Sequence, residues 1–384
     1  MPKRTRAEIQ EYIEELEGRA AESQANAKHN LNQLFDREHG RRPPRDFVDS
    51  SFLYMRACDA DIGSRPVNCP VFWVSPDLRV APLANLGMPT HQLTAGTTYR
   101  FTATVRNRGD LPVPSAKVEF FIVNPSLGFD TRFATKLGVA ADRVQAHGMG
   151  EVSLDYTIPP SMAGHRCLFA RVFSFSPLDL PIDDIALNPL IDRHVAQVNL
   201  NVIAQVATLV VDWFHLPNAE EQLELVPMTA PMIRALRAEL ATSLTLVSAA
   251  RWREVQGALK FDATPAEGPA IEVRQTDAGL ELVSSDREAL PIERQAELKK
   301  RVQAAVRALE TGRGNAARFK ELFNEFRAMN AKSVRTQVAI TLPDVGLARR
   351  QGVAVNVIRH DSATGAVTGG IALLIVSADR LSAR

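Results

Sequence analysis

The run 99–114, YRFTATVRNRGDLPVP, constrains the fold more than any other part of the chain. Tyr99, Phe101, Ala103 and Val105 alternate with Arg100, Thr102, Thr104 and Arg106. Period-two alternation predicts a strand with one face in a core and the other in water. Asn107, Arg108, Gly109 and Asp110 then supply turn chemistry. A second alternating run, AKVEFFIVN over 116–124, follows directly. Two such strands around a polar turn predict an antiparallel β-sandwich.

Further strands are expected at 150–158 (GEVSLDYTI), 165–174 (HRCLFARVFS) and 195–203 (VAQVNLNVI). The last two are separated by SPLDLPIDDIALNPLIDRH, long for a connection without regular structure and so a candidate functional loop. Beyond 205, strands are expected at 206–214, 271–275, 334–342, 353–359 and 370–377. Helices are expected at 231–246, at 291–310 with Pro291 in its first turn, and at 315–329. Leu298, Val302, Val306 and Leu309 should face Phe319, Leu322, Phe323 and Phe326 in a helical hairpin.

The N-terminal part reads differently. Ile9, Ile13, Leu16 and Ala20 mark an apolar stripe at helical spacing over 5–38. Thr5 with Glu8 has capping-box spacing, and Gly40 and Pro43-Pro44 stop the pattern. Residues 41–74 lack periodicity but carry Phe47, Phe52, Tyr54 and Phe72, too much apolar surface for a flexible linker. They read as an extended arm laid on a surface. The expected class is mainly β: two Ig-like antiparallel sandwiches (75–203 and 205–384), an N-terminal amphipathic helix (1–40), the arm (41–74), and a helical hairpin (291–330) inserted in the second sandwich.

Residues 75–203 resemble the CARDB family of bacterial Ig-like cell-adhesion modules. The resemblance rests on Ser75-Pro76-Asp77-Leu78, Gly96, the run 99–109 with its VRNRG, Pro159-Pro160, Gly164-His165, and the closing run 195–200. It implies a seven-stranded sandwich with a binding or structural role, and it brings no catalytic residues.

Charge and motifs narrow the function classes. Lys plus Arg is 45 and Asp plus Glu is 44, a net charge of +1, which argues against a general nucleic-acid binder. No apolar run approaches the ~20 residues that cross a bilayer. The basic N-terminus has no apolar stretch after it, so a cytoplasmic chain is expected, or one exported without a signal peptide. Cys58, Cys69 and Cys167 are expected as reduced, buried thiols; in an oxidising space Cys58 and Cys69 could pair.

No nucleophile elbow, zincin motif or phosphate loop is present, so no catalytic residue and no cofactor are assigned. Asp59 and Asp61 open a calcium-like loop, but Arg65-Pro66-Val67 stand where later ligands belong. They are read as turn carboxylates, weak metal candidates at best. Asp179, Asp183, Asp184 and Asp192 form the candidate ligand loop, read by default as solvated carboxylates. His165 and Cys167 with Cys58 and Cys69 lack structural-zinc spacing. Trp213-Phe214-His215 reads as core before it reads as a sugar platform.

The leading expectation is a non-enzymatic building block of an oligomer. Ile9, Ile13, Leu16, Phe47, Phe52, Tyr54 and Phe72 would contact other protein chains, another copy foremost. The alternatives are an adhesion module binding carbohydrate or a surface protein at the acidic loop, and, third, a hydrolase with a site where the two units meet.

Overall fold

In the computed structural model the described residues are 14, 18, 50–69, 71–87, 89–90, 92–174, 179–204, 207–228, 245–247, 260–265, 271–276, 279–310, 316–341, 344 and 346–377. Apart from residues 14 and 18, which are helical, the segment 1–40 lies outside them, as do residues 231–244 and Ile9, Ile13, Leu16 and Phe47; Thr245–Leu246, the end of the helix expected over 231–246, is instead a strand paired with Gln351 and Gly352. The fold is mainly β, in several largely antiparallel sheets, with two α-helices among the described residues.

Thr98–Asn107 is the centre of the first unit, as its alternation predicts. It pairs with Met149–Thr157 on one side, and with Leu78–Pro82 and Leu53–Tyr54 on the other. A second sheet runs in the order Val195–Val198, Cys167–Phe173, Val113–Val123, Thr135–Val144. Phe101 and Val105 from one sheet meet Val118, Phe120, Ile122 and Leu168 from the other in a single core.

Two further sheets follow in the chain beyond residue 199. Thr208–His215 pairs with Val334–Thr341, which pairs with Lys260–Pro265. Facing it, the larger sheet centres on Ala219–Pro227, Gln351–Asp361 and Val367–Val376, with Gly279–Ser284 and Ile271–Gln275 at one edge. Val211, Trp213 and Val338 pack against Leu223, Val355 and Leu373. The antiparallel Gln351–Asp361/Val367–Val376 pair turns through Ser362 to Ala366. Its strands are buried almost throughout because both faces are covered.

Three departures from the expected boundaries knit the units together. The expected strand at 195–203 breaks at the buried Asn199: Val195–Val198 closes the first unit, while Leu200–Ala204 pairs in parallel with Val367–Val376 of the second. Asn199 Nδ2 donates to the Ser126 and Gly370 carbonyls, at 2.8 and 3.0 Å, while its backbone amide donates to the Trp73 carbonyl and its own carbonyl accepts from the Ala372 amide. Ser126–Leu127, from a loop of the first unit, joins Thr208–His215 as a parallel edge. Finally, the arm is part of the body. Leu53–Tyr54 is a strand of the first unit, and Phe72 and Trp73 pack on the outer face of the large sheet beside Ala372 and Leu374.

Gly370 makes the last contact fit. A Cβ there would meet the Trp73 ring at 2.3 Å. Trp73 Nε1 donates to Asn356 Oδ1 at 3.2 Å, so its polar atom is satisfied in the seam. Cys58 and Cys69 form a disulfide that closes the loop between the two halves of the arm. Reduced thiols were the expectation; the fold instead brings their Cα atoms to 6.0 Å, within bridging range.

The helical hairpin lies where expected: α1 is Ile292–Glu310 and α2 is Ala316–Asn330. Leu298, Val302, Val306, Phe326 and Met329 form its core, and Ile182 from the first unit's long loop inserts among them. Arg327 Nε donates to the Ile182 carbonyl at 3.0 Å, and Asn330 Nδ2 donates to Asp183 at 2.6 Å. The loop thus clamps the hairpin of the second unit to the first.

Candidate functional site

The acidic loop does not present its carboxylates to solvent. Asp179, Asp183 and Asp192 are buried, and only Asp184 is exposed, 3.7 Å from Arg327. This corrects the reading of solvated loop carboxylates, and its cause is the set of partners the fold brings in. Asp179 accepts from Ser51 Oγ at 2.8 Å, from the Leu53 amide, and from Arg193 at 3.0 Å. His194 lies between Asp179 (3.1 Å) and Asp192 (2.8 Å), one ring nitrogen on each. The imidazole thereby bridges the two buried carboxyl groups. Burial pushes the Asp179 carboxyl up, but the His194 hydrogen bond and the Arg193 charge outweigh it and leave it at about 2.

The partner-contact residues resolve in the same way. Phe52, Tyr54 and Phe72 are buried against their own chain, with the Arg193 guanidinium over the Phe52 ring. They are not surface for another molecule, because the first unit's edge and the large sheet's outer face already cover them. Asp61 takes a bidentate contact from Arg65 and the amides of Ala57 and Gly63. A carboxylate so occupied is a structural ion pair, which removes the Asp59/Asp61 metal candidate; Asp59 stands exposed beside Arg56. Among the described residues no three His, Cys, Asp or Glu side chains converge as metal ligands. Burial raises the Cys167 thiol to about 12, which makes it inert.

What the structure does build is a cavity of about 160 Å³ where the first unit's loops, the second unit's sheets and α1 meet. Its base is a buried ion pair. Arg359 contacts Glu221 through two nitrogens, while its Nη1 donates to the Leu127 carbonyl at 2.8 Å. Glu221 also accepts from Trp213 Nε1. Gly128, at φ +97, leaves room for that guanidinium: a Cβ there would meet Nη1 at 2.6 Å. One wall is α1, from which Gln295, Lys299 and Gln303 project at successive i, i+4 positions. Lys299 pairs with Asp361, whose carboxyl burial raises but whose Lys299 contact holds below the ordinary range.

His215 lies in the same lining, stacked on Trp213 with ring centroids 3.8 Å apart. Its Nδ1 faces the Leu216 carbonyl at 2.8 Å and its Nε2 faces Thr336 Oγ1 at 3.0 Å. Burial lowers its pKa to about 4, so the ring is neutral near pH 7. Trp213, Phe214 and His215 are all buried, as the core reading expected. The buried ionisable groups here hold one another. The site therefore offers shape and hydrogen bonding.

Sequence reasoning missed this wall. Its signal was present: Gln295, Lys299 and Gln303 repeat every four residues alongside the Leu298–Val302–Val306 stripe, a polar row next to an apolar one.

No protein-family model and no curated protein matches the chain. Among solved structures, it is similar to a CARDB domain from Pyrococcus furiosus described in complex with di-metal ions. That match has 17% identity and a TM-score of 0.21, over 37% of this chain and 97% of that domain. It is also similar to a β-glucosidase from Listeria innocua in complex with glucose (10% identity, TM-score 0.18, 33% of this chain). A third similarity is to DesR, a β-glucosidase from Streptomyces venezuelae (17% identity, TM-score 0.17, 33% of this chain). The chain spans only 16% and 15% of the lengths of these two enzymes.

Proposed function

We propose that this chain is a non-enzymatic structural protein: two Ig-like sandwiches locked into one rigid body that serves as a unit of a larger assembly. The exchange of strands between the units carries this reading. Ser126–Leu127 of the first unit is built into a sheet of the second, and Leu200–Ala204 continues directly from the first unit into the second. Each crossover fixes backbone hydrogen bonds that a hinged pair of modules would have to break. A rigid joint suits a scaffold better than a closing enzyme cleft.

The internal role of the arm sharpens where contact with other chains would occur. Phe52, Tyr54 and Phe72 are engaged within the body, so docking falls to the segment 1–45 ahead of it. The acidic loop is engaged as well, which removes support for adhesion through its carboxylates. The Cys58–Cys69 bridge supports service in an oxidising compartment, since cytosolic thiols are kept reduced.

Deletion of residues 1–45 tests the assembly reading without touching the described body, which begins at Ser50. Light scattering should give fewer chains per particle for the truncated protein, with an unchanged thermal midpoint. An equal number of chains per particle for full-length and truncated protein would overturn it.

A further inference from the structure

We infer that the junction cavity is a binding site for a small uncharged polyhydroxylated molecule, between glycerol and a hexose in size. This goes beyond the scaffold reading and does not depend on it. Its first support is a β-bulge. Arg359 pairs with Gly369 and His360 with Val367, so Thr368 is an extra residue with no partner across the strand. Bulges of this kind re-aim a side chain, and they recur beside functional sites. Here the bulge puts Thr368 in the cavity wall, where its buried Oγ1 has no hydrogen-bond partner among the described residues. A buried hydroxyl left unpaired costs stability, and a ligand group in the cavity would satisfy it.

The opposite wall supplies matching chemistry. The Gln303 carboxamide lines the same space and makes no hydrogen bond among the described residues. Lys299 Nζ, held by Asp361, has further protons to donate. Thr368 and Gln303 each donate and accept, as a hydroxyl does. Phe129, Leu187, Val302 and Phe326 give the apolar surface on which the C–H face of a polyol or sugar ring rests. Charge selects against ions: Lys299 is balanced by Asp361 and Arg359 by Glu221, so the wall has no unneutralised buried charge to attract one. A cavity near 160 Å³ holds a molecule of about six to twelve non-hydrogen atoms, the larger ones extending into the mouth.

Saturation-transfer NMR on the full chain with glycerol, D-xylose and D-glucose tests this, with toluene and acetate as controls. At least one neutral polyol should bind saturably, with a midpoint of about millimolar, as so small a ligand allows. Methyl glucosides separate a free sugar from the end of a glycan: binding equal to that of D-glucose marks a glycan end, and loss of binding marks a free sugar. Thr368→Val keeps the side-chain shape; it should weaken binding at least tenfold while the thermal midpoint stays equal or rises. Gln303→Leu should weaken binding as well. Binding of toluene or acetate alone, no binding by any of the three polyols, or unchanged binding by Thr368→Val would each overturn the proposal.

Discussion

Residues 51–65 and residues 69–74 are one stretch of chain joined by a disulfide loop, yet they are held by different forces. The first half is fixed by buried charge. Ser51 and Leu53 reach Asp179, Arg56 reaches Asp77, and Arg65 reaches Asp61. Burial alone would raise the Asp77 carboxyl, but Arg56 and Arg106 hold it below its ordinary range. The second half is fixed by shape: Phe72 and Trp73 lie on an apolar sheet face, with Gly370 hollowed to receive the indole. The difference teaches how one segment can join two units. The polar half makes directional contacts that set its register, and the apolar half supplies burial that tolerates no change of volume.

The largest expected effect lies in the apolar half. Trp73→Ala removes a fully buried indole from the seam between the units and should cost about 3–5 kcal/mol in chemical denaturation. Gly370→Ala drives a methyl into the ring and should cost about 1–3 kcal/mol. The pair must couple: in the Trp73→Ala background, Gly370→Ala should be nearly free, because the clash partner is gone. Additive costs would mean that the notch is not what seats Trp73.

How far the sequence disclosed this follows from the kind of signal each element carries. Thr98–Asn107 and the α1–α2 hairpin were legible because each is long enough for a period to repeat against a single buried face. Leu53–Tyr54 and Ser126–Leu127 were not, since two residues hold no period. The break at Asn199 was hidden for the opposite reason: 195–203 alternates smoothly, and only the arrival of Ser126 and Gly370 makes Asn199 a crossing point. Asp179 read as solvated because its partners, Ser51 and His194, are brought to it by the fold from far and near in the chain. The cavity was half legible in the spacing of Gln295, Lys299 and Gln303, whereas the Thr368 bulge depends on strand register alone.

The polar half should break next. Asp179→Asn removes the charge that Arg193 and His194 share and should cost about 2–3 kcal/mol near pH 7. The direction with pH follows from the depressed carboxyl. Its contribution is present above the ordinary 3.8 and is lost as pH falls toward about 2. Wild type and Asp179→Asn should therefore converge in stability at the acid end of that window. A constant gap down to pH 2 would show that the loss is one of packing, not of charge.

The second unit should respond to pH in a different window, which gives the comparison its finest test. His215 is buried, stacked on Trp213, and lowered from 6.5 to about 4. The unfolded chain therefore takes up this proton at higher pH than the folded one does. Stability from His215 is complete above pH 6.5 and is lost as pH falls toward 4, by about 2 kcal/mol between pH 7 and pH 5. Asp179 is insensitive across that interval, since its window lies below 3.8. His215→Gln cannot take up the proton, so its urea midpoint should be nearly flat from pH 7 to 5 while that of wild type falls. Equal slopes for the two proteins would mean that the imidazole is not the group titrating, and that the second unit owes its acid response to another residue.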